Sequence, residues 1–120
     1  MTRAAISLAL LLTVSCAAFH EVQEIDTLYF GMNEPAGGVV TDDEWAAFVA
    51  EVITPRFDGF TEWRAEGRWK GEKEGTRIVQ IVHPPRPSHD RAIHEIIAAY
   101  KQRFRQEAVL LVRTRGLAVF

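Results

Sequence analysis

The chain has 120 residues, 48% hydrophobic and 25% charged, a balance typical of one globular domain with a modest core. Fourteen Lys and Arg against sixteen Asp and Glu leave a net charge of −2, which argues against a nucleic-acid partner. A single cysteine excludes an intrachain disulfide, so packing or a partner must stabilise the fold.

The first residues have the layout of a secretory signal. Arg3 provides a positive start, and an apolar run follows it over residues 4–14. This run is shorter than the roughly 20 apolar residues that cross a bilayer, which favours a cleaved signal over a permanent transmembrane helix. We expect residues 1–15 to be a signal peptide and residues 16–25 a short tether.

The only cysteine comes directly after this run. Residues 12–16, Leu-Thr-Val-Ser-Cys, resemble the lipobox of bacterial lipoproteins, in which the thiol accepts a diacylglycerol and becomes the new N-terminus. The pattern predicts lipidation of Cys16 and a lipid-anchored location on the periplasmic side of the bacterial cell envelope. The alternative is cleavage after Ala17 or Ala18, which would leave an exported protein soluble in the periplasm.

The mature chain begins with a predicted strand and helix. Residues 26–32 are mainly apolar and aromatic, and the turn formers of 33–38 end them. Thr41, followed by Glu44 three residues later, forms a capping box that predicts a helix start. Apolar residues then recur at helical spacing until Pro55 ends the helix: Trp45, Phe48, Val49 and Val52.

A second strand is predicted over residues 60–69, with two faces that differ in chemistry. One face carries Thr61, Trp63, Ala65, Gly67 and Trp69, and the other carries Glu62, Arg64, Glu66 and Arg68. Residues 71–75 are predicted to form a charged hairpin loop into a third strand, 76–83. We expect Trp63 and Trp69 to pack in the core; the alternative is a slot for a flat ligand.

The last two predicted elements are a helix capped by Ser88 and a strand over residues 107–115. Strand, helix, strand, strand, helix, strand is the ferredoxin-like order, so residues 26–120 are predicted to form one α+β domain. Its antiparallel sheet of four strands would carry both helices on one face. The helix residues expected to be buried are Trp45, Phe48, Val52, Ile93, Ile97, Tyr100 and Phe104.

Four segments together resemble a known family. They are LYFG at 28–31, TDDEWAAF at 41–48, PRFDGFT at 55–61 and GRW at 67–69. As a set they are similar to domain-of-unknown-function family 3574, whose members are small exported bacterial proteins. The resemblance spans nearly all of the mature chain and implies export and a single domain. It implies no reaction and no catalytic residue.

Three predicted strands are apolar on both sides. This holds for 28–30, 78–82 apart from Gln80, and 109–112. Two helices on one face would leave the other apolar face uncovered, so we expect a homodimer or another apolar partner there. The alternative is a curled sheet covered by a terminal segment. Because no glycine-rich phosphate loop is present, no cofactor is predicted.

Seven residues are candidates for ligand binding or for the open sheet face: Tyr29, Glu62, Arg64, Glu66, Arg68, His83 and Arg113. No catalytic residue can be assigned among them. The spacing of Asp90 and His94 suits two metal ligands on one helix face, with His83 as a third, but no HExxH motif supports it, and no metal site is predicted.

Two functions follow from these patterns. The first is a non-catalytic domain that binds a small molecule or an envelope component on the open sheet face. The alternative is a small cofactor-independent enzyme with its site in the cavity of a ferredoxin-like dimer. A buried titratable cluster facing one pocket would favour the enzyme, whereas a broad apolar surface would favour binding.

Overall fold

A computed structural model describes residues 21–120 of the chain. The predicted signal peptide and the lipidation of Cys16 lie outside these residues. Within the described part, no helix is long and apolar enough to cross a membrane. The strands are β1 (Val22–Gly31), β2 (Thr61–Trp69), β3 (Glu72–His83) and β4 (Leu110–Leu117). The helices are α1 (Asp42–Phe48), which continues into a π-helical segment (Val49–Ile53), and α2 (Pro87–Arg103).

The four strands form one antiparallel sheet in the order β2-β3-β1-β4. With the order of the elements along the chain, this confirms the ferredoxin-like α+β fold. Both helices cover the same face of the sheet, where Leu28 and Phe30 of β1 lie buried with Phe48 of α1 and Tyr100 of α2.

The capping box starts α1 as predicted. The Thr41 hydroxyl accepts a hydrogen bond from the Glu44 N–H at 3.2 Å, and the Glu44 carboxylate accepts one from the Thr41 N–H at 2.8 Å. The start of α2 differs from the prediction, because Arg86 is the N-cap and the helix begins at Pro87 rather than after Ser88. Proline suits the first helical position, where its missing N–H has no partner to lose.

The hairpin between β2 and β3 is tighter than the sequence suggested. Lys70 and Gly71 both have positive φ, 50° and 82°, and Trp69 pairs directly with Glu72. A two-residue turn with this geometry matches the twist of antiparallel strands. The predicted loop over 71–75 is therefore wrong, since those charged residues belong to β3.

Aromatic side chains form the centre of the core between helices and sheet. Phe30, Trp45, Phe48 and Tyr100 all contact one another, with ring centroids 4.8–6.1 Å apart. Of the helix residues predicted to be buried, all are buried except Ile97, which packs against the core while partly exposed.

Candidate functional site

The strand register assigns every sheet residue to one of two faces, because directly opposed residues point to the same side. The helix-covered face includes Leu28 with its partners Val79 and Leu111. The open face includes Tyr29 with its partners Ile78 and Leu110. Several large apolar side chains on the open face are at least one-third exposed: Trp63, Trp69, Val82, Leu110 and Val112.

The two tryptophans of β2 are therefore not core residues, and that prediction is wrong. Trp63 lies opposite Ile78 on the open face and is 41% exposed, and Trp69 is 52% exposed. The charged side of β2 turns towards the helices instead. Glu62 lies opposite the buried Val79, and its carboxylate accepts a hydrogen bond from the indole N–H of Trp45 at 3.1 Å.

The rest of the charged row follows Glu62. A guanidinium nitrogen of Arg64 lies 2.8 Å from the Asp42 carboxylate at the start of α1. Glu66 pairs with Lys73 at 2.7 Å, and Arg68 lies opposite Lys73 in the register. The row was predicted to face the open side, and that placement is wrong. Because β2 is an edge strand, long charged side chains reach back from it to α1 while their ends stay in solvent.

A groove of about 840 Å³ lies on the open face, at the end of the sheet where the β2–β3 hairpin turns. Small residues form its floor: Gly31, Ala65, Gly67 and Thr76. Larger apolar side chains form its walls: Tyr29, Trp69, Ile78 and Leu110. The volume is in the range of about 300–1,000 Å³ that small-molecule sites occupy in proteins.

The floor depends on two glycines. A Cβ atom at Gly31 would lie 2.8 Å from the carboxylate of Glu74, and one at Gly67 would lie 2.7 Å from the hydroxyl of Thr76. Both distances are shorter than real Cβ contacts. Side chains larger than hydrogen at these positions would displace their neighbours and fill the space that now forms the groove.

An ion pair joins the two ends of the groove wall. The hairpin extends beyond the last paired residue of β1, and Lys70 at its tip lies 3.0 Å from Glu107 in the loop after α2. Hydrogen bonding from Lys70, with a further contribution from Trp69, lowers the pKa of Glu107 below its usual range. The hairpin tip and the α2–β4 loop are thus linked beside the groove.

A buried polar cluster lies on the other face, under α2. The Asp26 side chain is fully buried, and its carboxylate accepts hydrogen bonds from His83 at 2.7 Å and from Arg113 at 2.7 and 2.9 Å. The second ring nitrogen of His83 lies 2.8 Å from the Pro84 carbonyl.

Hydrogen bonds from neighbouring side chains lower the pKa values of two carboxylates in this cluster. Burial alone raises the pKa of Asp26, but hydrogen bonds from Arg113 and His83 outweigh it and hold that pKa below its usual value. A hydrogen bond from Arg113 at 2.7 Å likewise lowers the pKa of Asp90. Glu24 lies 2.9 Å from Arg113 without a hydrogen bond, since the nearest N–H points to Asp26.

The seven candidate residues therefore divide into three places. Tyr29 lines the groove, and Glu66 and Arg68 border it from β2 while their side chains belong to the row that turns towards the helices. Glu62 and Arg64 contact α1, and His83 and Arg113 belong to the polar cluster. Binding by any of these residues stays a prediction. Sequence reasoning missed Asp26, although a carboxylate in an apolar strand signals a buried ion pair, and it missed Glu74, which only the fold brings to Gly31.

The histidines considered as metal ligands are spread over different contacts. His83 binds Asp26 and the Pro84 carbonyl, while His89 lies 3.0 Å from that same carbonyl. His94 lies 3.7 Å from Asp90 on α2. Across residues 21–120, no three His, Cys, Asp or Glu side chains are grouped so that they could hold a metal ion.

Comparison with solved structures agrees with the fold. A phage SAM lyase in complex with S-methyl-5′-thioadenosine is similar to this chain with a TM-score of 0.54 and 13% identity, over 80% of this chain and 90% of that one. A de novo designed protein with a ferredoxin fold is similar with a TM-score of 0.37 and 16% identity, over 83% and 88% of the two chains.

Comparison with protein sequences identifies a family. No curated protein matches the chain. The model of the family described as "Protein of unknown function (DUF3574)" matches residues 25–120. This range begins within β1 and includes all the later elements of the ferredoxin-like domain. The chain therefore belongs to the DUF3574 family.

Proposed function

We propose that this protein is a small-molecule-binding domain and that the groove on the open sheet face is its binding site. The observation that carries the proposal is the concave space of about 840 Å³, floored by small residues and walled by Tyr29, Trp69, Ile78 and Leu110. A domain that buried its sheet face only against itself would gain stability from a larger side chain at Ala65. The small residues leave apolar surface in contact with solvent, which a ligand would remove from water.

The distribution of titratable groups supports binding over catalysis. The most buried titratable side chains, Asp26 and His83, lie on the helix-covered face, away from the groove. At the border of the groove, Glu66 is exposed and already paired with Lys73, and in the groove Tyr29 is partly exposed. Catalytic acids and bases usually depend on burial and nearby charges that shift their pKa values towards neutrality. The enzyme alternative lacks this support in the described groove.

The domain is proposed to act in the bacterial cell envelope, tethered by a lipid on Cys16. Support comes from the signal-like residues 1–15 and from the use of the single cysteine at the position that the lipobox requires. Metabolic labelling with an alkyne fatty acid in a bacterial host tests the tether. Label on the wild-type chain but not on Cys16→Ser is expected. Equal labelling of both chains would contradict it.

The groove is tested by filling it. In Ala65→Trp the new indole would occupy the floor, whereas Thr61→Trp places the same side chain on the same face of β2 outside the groove. The domain would be purified from a bacterial periplasm without denaturation, and bound small molecules would be identified by mass spectrometry. We expect a ligand in the wild type and in Thr61→Trp but not in Ala65→Trp. Equal recovery from all three chains would place the ligand elsewhere and reject the groove.

A further inference from the structure

The groove has an excess of negative charge. Five glutamates border it, at positions 34, 66, 72, 74 and 107, against the two cations Arg68 and Lys70. The side chains of Glu66 and Arg68 belong to the side of β2 that turns towards the helices. Lys70 neutralises Glu107, and Lys73 neutralises Glu66. Within residues 21–120, the other three glutamates take part in no ion pair with Lys, Arg or His. The free carboxylates thus outnumber the free cation at the groove.

Glu74 is the best placed of these carboxylates. It lies over Gly31 at the floor, where one oxygen accepts a hydrogen bond from the Asn33 N–H at 3.2 Å. This contact orients the carboxylate and leaves its other oxygen available to a ligand. The side chain is only partly exposed, so its charge is less screened by solvent than that of a surface glutamate.

The phenol of Tyr100 lies on the helix-covered face and contacts the backbone of Gly31, which borders the groove. Its hydroxyl donates a hydrogen bond of 2.6 Å to the carbonyl of Gly31. Burial raises the pKa of Tyr100, and the negative charges of Glu74 and Glu34 raise it further. Both carboxylates therefore act on the same small region beside Gly31, which favours a positive charge there.

The apolar walls suit the rest of such a ligand. Tyr29 and Trp69 present aromatic rings, and Leu110 presents aliphatic surface. Aromatic faces attract organic cations as well as other rings. A strongly hydrated inorganic cation would gain nothing from these walls, and an anion would be repelled by the glutamates.

We infer, building on the proposed binding function, that the groove takes a small organic cation with an apolar ring, its charged group beside Glu74 and Glu34 and its ring against Tyr29 and Trp69. A second copy of the chain is a poorer occupant of the groove, because two such acidic surfaces would repel each other. The expected ligand class is an aromatic or alicyclic ammonium compound, not a carboxylate or phosphate.

Three probes of nearly equal shape test the charge preference: 1-naphthylmethylammonium, 1-naphthalenemethanol and 1-naphthoate. Their dissociation constants would be measured by Trp fluorescence or calorimetry on wild type, Glu74→Gln and Glu95→Gln. Glu74→Gln removes one charge and keeps an oxygen for the Asn33 N–H. Glu95→Gln removes the same charge from an exposed site on α2 that pairs with Arg56.

We expect the ammonium probe to bind wild type about three to ten times more tightly than the alcohol, the range for one partly screened charged contact. Glu74→Gln should abolish most of that preference and leave the affinity for the alcohol unchanged, while Glu95→Gln should behave as wild type. The preference should also shrink when salt is raised. If Glu74→Gln does not fold, as judged by circular dichroism, Glu34→Gln serves as the second variant.

Two other outcomes separate the two proposals. Equal binding of the three probes, or tighter binding of naphthoate, would overturn the ligand class while the groove stands, provided that Ala65→Trp blocks binding. Failure of all three probes to bind wild type at millimolar concentration, together with a retained ligand that Ala65→Trp does not remove, would overturn the proposed function itself.

Discussion

The two faces of the sheet differ in how tightly their side chains are packed. On the helix-covered face, large aromatic side chains fill the space, and the buried carboxylate of Asp26 is hydrogen-bonded to His83 and Arg113. On the open face, glycine and alanine leave space, and tryptophans stay exposed. The first arrangement is what stability requires, because cavities and unpaired charges are costly inside a protein. The second lowers stability for no structural gain, which is typical of a surface kept for binding.

The sharpest test of this contrast uses two tryptophans of one chain. Trp45 is 2% exposed within the aromatic cluster, whereas Trp63 is 41% exposed on the open face. Trp45→Ala should lower the free energy of unfolding by about 3–5 kcal/mol, since it empties a packed site. Trp63→Ala should cost less than about 1 kcal/mol. Urea unfolding of both variants measures the difference, and similar losses would mean that the open face is as tightly packed as the core.

Two carboxylates provide the corresponding comparison for charge. Asp26 is fully buried between His83 and Arg113, whereas Asp42 is exposed and pairs with the exposed Arg64 and with the largely buried Arg77. Asp26→Ala should cost about 3 kcal/mol, because it leaves buried donors without their acceptor. Asp42→Ala should cost far less, since exposed ion pairs contribute little. A small loss for Asp26→Ala would show that water or another group replaces the carboxylate.

The same cluster predicts how stability depends on acid. The pKa of Asp26 is held below its usual value of 3.8, so at low pH the unfolded chain binds a proton before the folded chain does. The stabilisation is therefore complete above about pH 4 and is lost as pH falls below that value towards the lower folded pKa. Unfolding midpoints measured from pH 7 to pH 2 should fall more steeply for wild type than for Asp26→Asn. Parallel profiles would contradict this account.

The smallest effect on stability is expected on the open face outside the groove, where the predicted homodimer would form. Val79 and Ile81 are fully buried against the helices, so a charge at either would unfold the domain and could not probe this surface. Val82 lies on the open face and is 37% exposed. Val82→Glu should change the free energy of unfolding of the monomer by less than about 0.5 kcal/mol. Light scattering should show a wild-type dimer and a Val82→Glu monomer. A monomeric wild type at high micromolar concentration would contradict the predicted homodimer.

Some features of the site were readable from single positions. Gly67 between Trp63 and Trp69 indicated a gap between aromatic side chains, and Tyr29 was a candidate residue. The contact between the hairpin tip and the α2–β4 loop could not be predicted in this way, because Lys70 and Glu107 are 37 residues apart in sequence. Glu74 at Gly31 and Arg113 at Asp26 depend in the same way on strand pairing rather than on any local pattern.

The sequence by itself determined the order of the elements, the capping box of α1, the apolar helix faces and therefore the ferredoxin-like fold, because these depend on local periodicity and on hydrogen bonds between near neighbours. The alternation along β2 was also local, and it separated the tryptophans from the charged row correctly. Which of those two sides meets the helices was decided only by the tertiary structure. An edge strand has solvent beside it, so its charged side chains can contact α1 and its apolar ones can remain exposed, and periodicity cannot distinguish the two orientations.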